Sequence, residues 1–311
     1  SMVPMPEGVK QVLDRISAYY MGIFVYLLLF TAVADLVMIL PRAFKLSFAT
    51  APTIKGFMTV VVLLLAGVTS LYGFWNARHI RHVSYEIPIT EKADISDMKL
   101  LLISDLHLGS VGSEERLETI VAEINAQEPD LVCIAGDFFD TDFASIRDPE
   151  KAAATLRKLH STYGVYACLG NHDAGSTLEK MTEFLTQCDI RLLAEAHTVI
   201  DDRFVLVGRL DGTPIGGYGE AARKDHAQVF DQVDSSLPVI VLDHNPGNIG
   251  AYQREADLIL CGHTHKGQLF PANLITGAMY AVDYGYYRKD PESPHVVVTS
   301  GVGYWGMPMR V

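Results

Sequence analysis

Two long apolar runs dominate the beginning of the chain. The first extends from Tyr19 to Leu40 with Asp35 as its only charged residue, and the second, from Gly56 to Trp75, has none. About 20 helical residues, each rising about 1.5 Å, cover the roughly 30 Å hydrocarbon core of a bilayer. Pro41 stands between the runs and disfavours a continuous helix. The pattern predicts a hairpin of two membrane-spanning helices.

Two other interpretations of these runs stay open: a pair of helices buried in a soluble core, and a cleaved signal peptide. The signal peptide fits less well, because both runs exceed the usual apolar region of such peptides. The aromatic residues favour the hairpin. Tyr19 and Tyr20 open the first run while Tyr72 and Trp75 close the second, which puts them at one membrane interface. Asp35 then faces the partner helix, water or another subunit.

Cations flanking the runs indicate orientation and domain limits. They are Arg42, Lys45 and Lys55 in the connecting segment, and Lys10, Arg15, Arg78 and Arg81 on the other side. The side that carries the C-terminal domain has four of these cations and the connecting segment has three. Because cations favour the cytoplasmic side, we expect an integral protein of the plasma (inner) membrane whose C-terminal domain is cytoplasmic. The expected domains are residues 1–78, with helices at about 19–40 and 56–75, and residues 79–311.

Beyond residue 98, short apolar runs alternate with amphipathic stretches. Strands are predicted at Lys99–Ser104, Leu131–Ala135, Val165–Leu169, Arg203–Val207, Val239–Leu242, Leu258–Cys261 and His295–Thr299. Helices are predicted at Glu114–Ala126, Pro149–His160, Ser176–Gln187 and Glu220–Val233. Residues 82–89 alternate apolar and polar positions, which is typical of an edge or half-buried strand. The alternation of strands and helices indicates an α/β fold with sheets flanked by helices.

Composition narrows the classes of partner. Of the 311 residues, 49% are hydrophobic, which excludes a disordered chain. A net charge of −12 argues against a binder of long nucleic acids, which needs clustered cations. The four scattered cysteines form no CxxC pair and favour buried thiols in a reducing compartment. Nothing in the composition indicates an oligomeric state.

Polar side chains follow five predicted strands at the point where each strand ends. They are Asp105 and His107; Asp137 and Asp140; Asn171, His172 and Asp173; Asp243 and His244; and His263 and His265. Each motif alone is ordinary turn chemistry. Ligands bind at the carboxyl ends of strands in α/β sheets, so five motifs in succession predict one convergent metal site.

The order Asp-x-His, Gly-Asp-x-x-Asp, Gly-Asn-His-Asp, His and Gly-His-x-His resembles the calcineurin-like metallophosphoesterases over roughly residues 80 to 310. GHTHKGQLFP and GVGYWGMPMR are most similar to the bacterial membrane-associated branch, which includes proposed phosphodiesterases and membrane-bound UDP-2,3-diacylglucosamine hydrolases. The resemblance implies a four-layer α-β-β-α sandwich. It also implies one further strand after the position of Val311.

The same resemblance implies a centre with two divalent metal ions. It assigns Asp105, His107 and His265 to the first metal, Asn171, His244 and His263 to the second, and Asp137 to both. Oxygen and nitrogen donors suit Mn²⁺ first, with Fe or Zn²⁺ as alternatives. Two such cations activate a water as hydroxide for in-line attack on a phosphoryl group.

Five further residues are candidates for roles beside the metals. By resemblance His172 is a proton-donating group next to the leaving oxygen. Asp173 either orients His172 or caps the following helix, and Asp140 supports a metal ligand from outside. Asp243 either contacts a ligand or only forms a turn. Arg310 either approaches the substrate phosphate or is solvated.

The expected function is hydrolysis of a phosphodiester, pyrophosphate or phosphomonoester. A lipid-linked substrate is expected because the catalytic domain follows the hairpin directly. Aromatic and methionine residues within 270–287 and 304–309 either border an acyl groove or pack as ordinary core. Two alternatives are hydrolysis of soluble or cyclic nucleotides and a metal-binding membrane scaffold without turnover.

Overall fold

The structure is a computed structural model that describes residues 6–46, 51–89, 98–109, 111, 113–252 and 255–311. These residues belong to two compact units. One comprises the chain up to His79 together with Gly306–Val311, and the other comprises Ile80–Trp305. The last six residues therefore group with the N-terminal helices.

The first unit contains helices α1 (Glu7–Val37), α2 (Ile39–Ala43) and α3 (Pro52–Asn76). Helices α1 and α3 pack against each other, and both are long and apolar enough to cross a membrane. Helix α1 begins well before the predicted Tyr19. The reason is that residues 9, 12, 13 and 16 are apolar and continue the helical period through the charged N-terminal segment.

The charged residue Asp35 and the aromatic residue Tyr19 of α1 both have partners within this first unit. The guanidinium of Arg42 donates to Asp35 Oδ1 at 3.2 Å, so the single acidic residue of the first apolar run has a partner in the same unit. The rings of Tyr19 and Phe74 lie 4.9 Å apart, and Arg78 donates to the Tyr19 hydroxyl at 3.4 Å. An aromatic residue near the start of the first apolar run thus lies beside the end of α3, while the membrane interface expected for Tyr19, Tyr20, Tyr72 and Trp75 stays a prediction.

The C-terminal residues pack onto α3. Met309 is fully buried there, and a Cβ atom at Gly73 would overlap the side chains of Met309 and Val311. The Arg310 amide donates to the Gly73 carbonyl at 3.0 Å, and Asn76 Nδ2 donates to the Arg310 carbonyl at 3.2 Å. The missing side chain at Gly73 is what permits this close approach of the two backbones.

We therefore expect Gly73→Ala to loosen the C-terminal residues. Forcing a methyl group into a closely packed contact costs about 1–3 kcal/mol, which here opposes docking of the tail. The measurement is the rate at which carboxypeptidase removes the last residues of detergent-solubilised protein, followed by mass spectrometry. Faster removal than in the unsubstituted chain is expected.

Gly67→Ala is the matched control, because Gly67 lies in the same helix and has no atom within 4 Å of its Cβ position. Both substitutions raise helix propensity equally, by about 1 kcal/mol. Equal removal rates for the two variants would contradict the packing role of Gly73.

The second unit is built on two sheets. Strands β1 (Leu100–Ile103), β2 (Leu131–Ala135), β3 (Val165–Cys168) and β4 (Ile190–Leu192) form a parallel sheet in that order. The other sheet has the order β5-β6-β7-β8-β10-β9 and is antiparallel only at its two edge pairs. Its strands are β5 (Ala196–Ile200), β6 (Phe204–Gly208), β7 (Val239–Leu242), β8 (Leu258–Cys261), β9 (Gly285–Tyr287) and β10 (His295–Val298). The seven strands predicted beyond residue 98 are all present; the short or partly exposed β4, β5 and β9 carry no strong apolar run and were not predicted.

The helices of this unit are α4 (Leu117–Asn125), α5 (Pro149–Leu156), α6 (Leu178–Gln187), α7 (His226–Phe230) and α8 (Ala272–Met279). The first three were predicted with longer limits. The prediction of a helix from Glu220 was wrong, because α7 begins only at His226. Before it, Arg223 bonds to Asp243 and the Lys224 amide donates to Glu195, and these contacts hold the segment in an irregular conformation.

The predicted edge strand at residues 82–89 was also wrong, since this segment has no strand conformation. Its alternating pattern serves packing instead of strand pairing. Ile87 and Ile89 are partly buried against the core between the two sheets, and the rings of Tyr85 and Tyr286 lie 5.9 Å apart. Period-two burial alone therefore did not guarantee a hydrogen-bonded ladder.

Alternation along the buried strands produces the layers. Val132 and Ile134 of β2 face a core shared with α4, α5 and α6, whereas Leu131 and Cys133 face the other sheet. On the far side of that sheet, Ile259 packs in a third core with residues of α7. The order is helix, sheet, sheet, helix, as the resemblance implied. Cys261 lies in the third core, and all four cysteines are buried thiols.

Candidate metal centre

The predicted site residues from Asp105 to His265 all lie in loops that follow strands β1, β2, β3, β7 and β8. Within each sheet these strands run parallel to one another, so their carboxyl ends share an edge. Side chains that are far apart in the sequence therefore become neighbours. This is the arrangement that α/β sheets use to bind ligands.

Five of the predicted metal ligands have a left-handed backbone, with φ between 46° and 72°: Asp105, His107, Asp137, His263 and His265. This conformation costs a non-glycine residue about 1–2 kcal/mol. It persists where the surrounding structure determines it, most often at functional sites. The strain accompanies sharp turns that follow the strands.

The first cluster contains Asp105, His107 and His265, all buried. His265 Nε2 lies 3.3 Å from Asp105 Oδ1 and 3.1 Å from His107 Nε2. His107 Nε2 lies 3.9 Å from the same Asp105 oxygen. One carboxylate oxygen and two imidazole nitrogens therefore converge on a common point.

The second cluster contains Asn171, His244 and His263. The amide oxygen of Asn171 lies 2.9 Å from His263 Nδ1 and 3.2 Å from His244 Nε2. The two imidazole nitrogens are 3.2 Å apart. This cluster also presents converging oxygen and nitrogen donors, with a neutral amide in place of the carboxylate.

Asp137 lies between the two clusters. Its Oδ2 is 3.1 Å from His244 Nε2 in the second cluster and 3.7 Å from His107 Nε2 in the first. Its Oδ1 accepts a hydrogen bond from the His172 amide at 2.9 Å. A Cβ atom at Gly170 would collide with this carboxylate, so a glycine there is what lets it approach the loop after β3.

The chemistry of the donors fits divalent cations. Burial lowers the pKa of His107 and of His263 to about 4, which favours the neutral imidazole that metals require. Burial would raise the pKa of Asp137, but His244 and His107 hold it well below its usual value. Nitrogen and oxygen donors of this kind suit Mn²⁺, Fe or Zn²⁺. The residues present therefore fit two metal positions that share Asp137.

His172 lies beside the first cluster. Its ring meets the His107 ring edge-on at 5.0 Å, and the Trp305 ring lies 6.1 Å away. Its Nδ1 is 2.9 Å from the hydroxyl of Thr141, which has a φ of 76°. Such a backbone is a genuine outlier for a β-branched residue. Thr141 was missed in the sequence, because a single threonine after Asp140 carries no recognisable pattern.

Asp173 is fully buried and holds two loops together. Its Oδ1 accepts from the Phe139 amide at 3.0 Å and its Oδ2 from the Gly170 amide at 2.9 Å. Burial, with the nearby charge of Asp137, raises its pKa to about 7. The predicted cap was wrong, since Thr177 occupies the N-cap position of α6. The bond from Phe139 ties the loop that carries Asp137 to the loop that carries Asn171, and the bond from Gly170 closes the latter loop on itself.

Asp140 and Asp243 lie outside the ligand clusters. Asp140 Oδ1 is 3.9 Å from His107 Nδ1 and 4.0 Å from His172 Nδ1, a position from which it can support either ring. Asp243 is fully buried; it binds both terminal nitrogens of Arg223, at 3.1 and 2.6 Å, and accepts from the Tyr252 hydroxyl at 2.5 Å. Asp243 thus anchors the loop that carries His244.

Arg310 belongs to the unit of the N-terminal helices, where its backbone bonds to Gly73 and Asn76. Its contact with a substrate phosphate stays a prediction.

One acidic residue near the second cluster was not predicted. Asp211 follows β6, and an oxygen of its carboxylate lies within 4.8 Å of a ligand nitrogen of His244 and of His263. The strand preceding it was recognised. The signal was weak, because a single aspartate in RLDGT stands without the neighbouring histidine or asparagine that marked the other strand ends.

Comparisons with known proteins show the family to which the chain is similar. The family model described as calcineurin-like phosphoesterase matches residues 98–267. An uncharacterized metallophosphoesterase of Helicobacter pylori J99 is 32% identical over 232 residues, covering 72% of this chain and 60% of its own length. A zebrafish transmembrane protein with metallophosphoesterase domain is 32% identical over 267 residues, covering 81% and 60%.

A third relative is the UDP-2,3-diacylglucosamine pyrophosphatase LpxG of Chlamydia trachomatis, 26% identical over 282 residues, covering 74% of this chain and 85% of the relative. The chain spans about 60% of the Helicobacter and zebrafish relatives. The family match extends over more than half of the 311 residues and includes the loops that carry every predicted metal ligand. The chain therefore belongs to the calcineurin-like phosphoesterase family.

Proposed function

We propose that the chain is a membrane-anchored phosphoesterase with two metals that hydrolyses a phosphodiester, pyrophosphate or phosphomonoester of a lipid-linked substrate. The observation that carries the proposal is the convergence of two donor clusters on one carboxylate, Asp137. A phosphoryl group bound there would meet cations on both sides, an arrangement typical of two-metal phosphatases. The proposed orientation keeps this domain on the cytoplasmic side of the inner membrane.

The proposed ligands are Asp105, His107 and His265 for the first metal and Asn171, His244 and His263 for the second, with Asp137 shared. Divalent cations bound there would act as Lewis acids that activate water and neutralise phosphoryl oxygens. The protein contributes the geometry. Strained turns at five of the seven ligands and short contacts among the donor atoms hold the geometry before the substrate arrives, so little reorganisation is needed during the reaction.

His172 is the proposed proton donor. The Thr141 hydroxyl fixes its Nδ1, which leaves Nε2 as the atom that addresses the substrate. In the reaction, the water loses a proton as its oxygen forms the new bond to phosphorus, the bond to the leaving oxygen breaks, and Nε2–H donates its proton to that oxygen. The proton released by the water passes to solvent, and solvent reprotonates Nε2 for the next turnover. General acid catalysis of this kind contributes roughly 10²–10⁴-fold.

An exposed apolar surface beside the metal ligands supports a lipid-linked substrate. Helix α8, which begins soon after His265, exposes Leu274, Ile275 and Met279 by 63%, 61% and 68%. Gln268 holds the loop between His265 and α8 in place, because its side-chain amide forms two hydrogen bonds of 2.9 Å with the Trp305 backbone. Adjacent exposed apolar side chains of this kind commonly mark binding surfaces for lipids or proteins.

Two further observations support a lipid-linked substrate and anchoring in a membrane. The described part of the chain has two helices long and apolar enough to cross a bilayer, and the phosphoesterase unit follows the second one directly in the sequence. The Chlamydia relative is named for a pyrophosphatase that acts on a diacylated sugar nucleotide. A substrate with acyl chains in the bilayer and a phosphate outside it matches such a molecule.

The test compares an acylated substrate with its water-soluble counterpart. The full chain in lipid nanodiscs with MnCl₂ is assayed on UDP-2,3-diacylglucosamine, UDP-glucosamine, a cyclic nucleotide and bis(4-nitrophenyl) phosphate. We expect hydrolysis of the aryl diester and a kcat/KM at least about tenfold higher for the acylated nucleotide. That factor corresponds to about 1.4 kcal/mol, less than burial of two methylene groups contributes.

Leu274→Ser with Ile275→Ser should reduce that preference without changing turnover of the aryl diester. Val199→Ser, an exposed apolar side chain on β5, is the matched control and should leave both unchanged. Equal turnover of the acylated and soluble nucleotides would contradict a lipid substrate. If the protein hydrolysed none of the four phosphoesters, the result would contradict the proposed phosphoesterase activity.

A further inference from the structure

Asp211 occupies a position equivalent to that of the proposed ligands. Strand β6 runs parallel to β7, and β7 to β8, so the loops after these strands meet at the same edge of the sheet. One carboxylate oxygen of Asp211 and one ring nitrogen each of His244 and His263 lie within 4.8 Å of one another. Asp211 is only 1% exposed.

The two carboxylate oxygens of Asp211 have different surroundings. Oδ1 accepts from the backbone amide of Thr213 at 2.7 Å and from its hydroxyl at 2.9 Å. Oδ2 is buried and has no hydrogen-bond partner within the described part of the chain. Such a group is costly to bury unless a cation or a donor compensates it, and the large majority of buried polar groups have a partner.

We propose that Asp211 is a further carboxylate ligand at the second metal position, beside Asn171, His244 and His263. The inference rests on the proposed function, because it requires that the two clusters bind divalent cations. The cation would supply the partner that Oδ2 lacks within the described chain. The Thr213 bonds to Oδ1 would hold the carboxylate in place for it.

The added carboxylate changes the charge of the centre. Asp105 serves the first position and Asp137 both, so Asp211 gives the second position a carboxylate of its own. Three carboxylates against two divalent cations leave about one net positive charge. An oxygen-rich second position favours Mn²⁺ or Fe over metals that prefer softer donors.

The test is a metal titration of the full chain in nanodiscs after removal of metals with EDTA. MnCl₂ is added and bound Mn²⁺ is followed by electron paramagnetic resonance, which distinguishes a single ion from a coupled pair. We expect two ions per chain in the unsubstituted protein. In Asp211→Asn we expect unchanged affinity for the first ion and binding of the second that is weaker by at least about 10–100-fold, the range for losing a group that only supports a metal ligand.

Thermal unfolding gives a readout that does not depend on activity. Asparagine keeps the Oδ1 acceptor for Thr213 and removes the buried charge. Metal-free Asp211→Asn should therefore unfold at the same or a higher temperature than the metal-free unsubstituted chain. With Mn²⁺ in excess the order should reverse, because binding of the second ion stabilises only the unsubstituted chain fully.

Two control variants distinguish a metal-binding role of Asp211 from a role only in its turn. Asp234 accepts from the amide and hydroxyl of Ser236 at 2.9 and 2.6 Å in an exposed turn of the same kind, so Asp234→Asn should bind both ions normally. Thr213→Val removes the hydroxyl donor and keeps the carboxylate, and it should retain most of the second-ion affinity.

Normal binding of both ions by Asp211→Asn would overturn the inference and leave the two-metal function standing. Equal losses in Asp211→Asn and Thr213→Val would also overturn it, because Asp211 would then act only through the turn. Failure of the unsubstituted chain to bind any ion would instead overturn the proposed function.

Discussion

Asp137→Ala is expected to abolish hydrolysis and to weaken binding of both metals. Asp137 is the only proposed ligand shared by the two clusters, and its Oδ2 lies 3.1 and 3.7 Å from nitrogens of His244 and His107. Removing it leaves six donors, four of them buried, without the carboxylate that balances two cations, so paired binding fails. Turnover of bis(4-nitrophenyl) phosphate and the Mn²⁺ content per chain measure the two effects.

Asp290→Ala is the control for this variant, because Asp290 lies in an exposed turn between β9 and β10. It should keep full metal content and activity. Retention of two tightly bound ions by Asp137→Ala would show that Asp137 does not bridge them, and retention of turnover would refute the two-metal mechanism.

His172→Asn is expected to keep both metals and to slow turnover by roughly 10²–10⁴-fold, the range for a lost general acid. The loss should depend on the leaving group. An alkoxide leaving group needs a proton, whereas 4-nitrophenolate leaves without one. We therefore expect the full loss on alkyl esters and a much smaller loss on the nitrophenyl ester, measured as kcat at saturating substrate with metal content in parallel.

His160→Asn provides the control, since His160 is exposed at the end of the segment after α5. Thr141→Ser should retain turnover and Thr141→Val should lose part of it, because only the former keeps a hydroxyl beside Nδ1. An equal loss by His172→Asn on alkyl and nitrophenyl esters would argue against proton donation by His172.

The sequence predicted the central elements well because they depend on local patterns. The interior strands of the two sheets are largely apolar runs bounded by polar residues. They are β2 and β3 in one sheet and β6, β7, β8 and β10 in the other. Helices α4, α5 and α6 show the apolar period of a helix with one buried face. Burial on both sides of a strand leaves a signal that needs no knowledge of its neighbours.

The errors arose where long-range contacts overrode local pattern. Residues 220–225 have helical periodicity, yet Arg223 and Lys224 bond to Asp243 and Glu195 instead. Residues 82–89 alternate like a strand but pack by their side chains alone. Asp243 and Asp173 likewise bind partners that no motif connects to them. Such contacts join residues distant in sequence, so periodicity carries no trace of them.

The amino-acid sequence by itself determined which residue types stand at the strand ends, and thereby the donor set of the centre. Only the tertiary structure decided how those donors group, because parallel strands bring separate loops to one edge and left-handed turns point the side chains together. The same packing placed Thr141 beside His172, buried one oxygen of Asp211 without a donor in the described chain, and seated Met309 against Gly73. Distances between residues far apart in the chain follow from packing, and no local pattern encodes them.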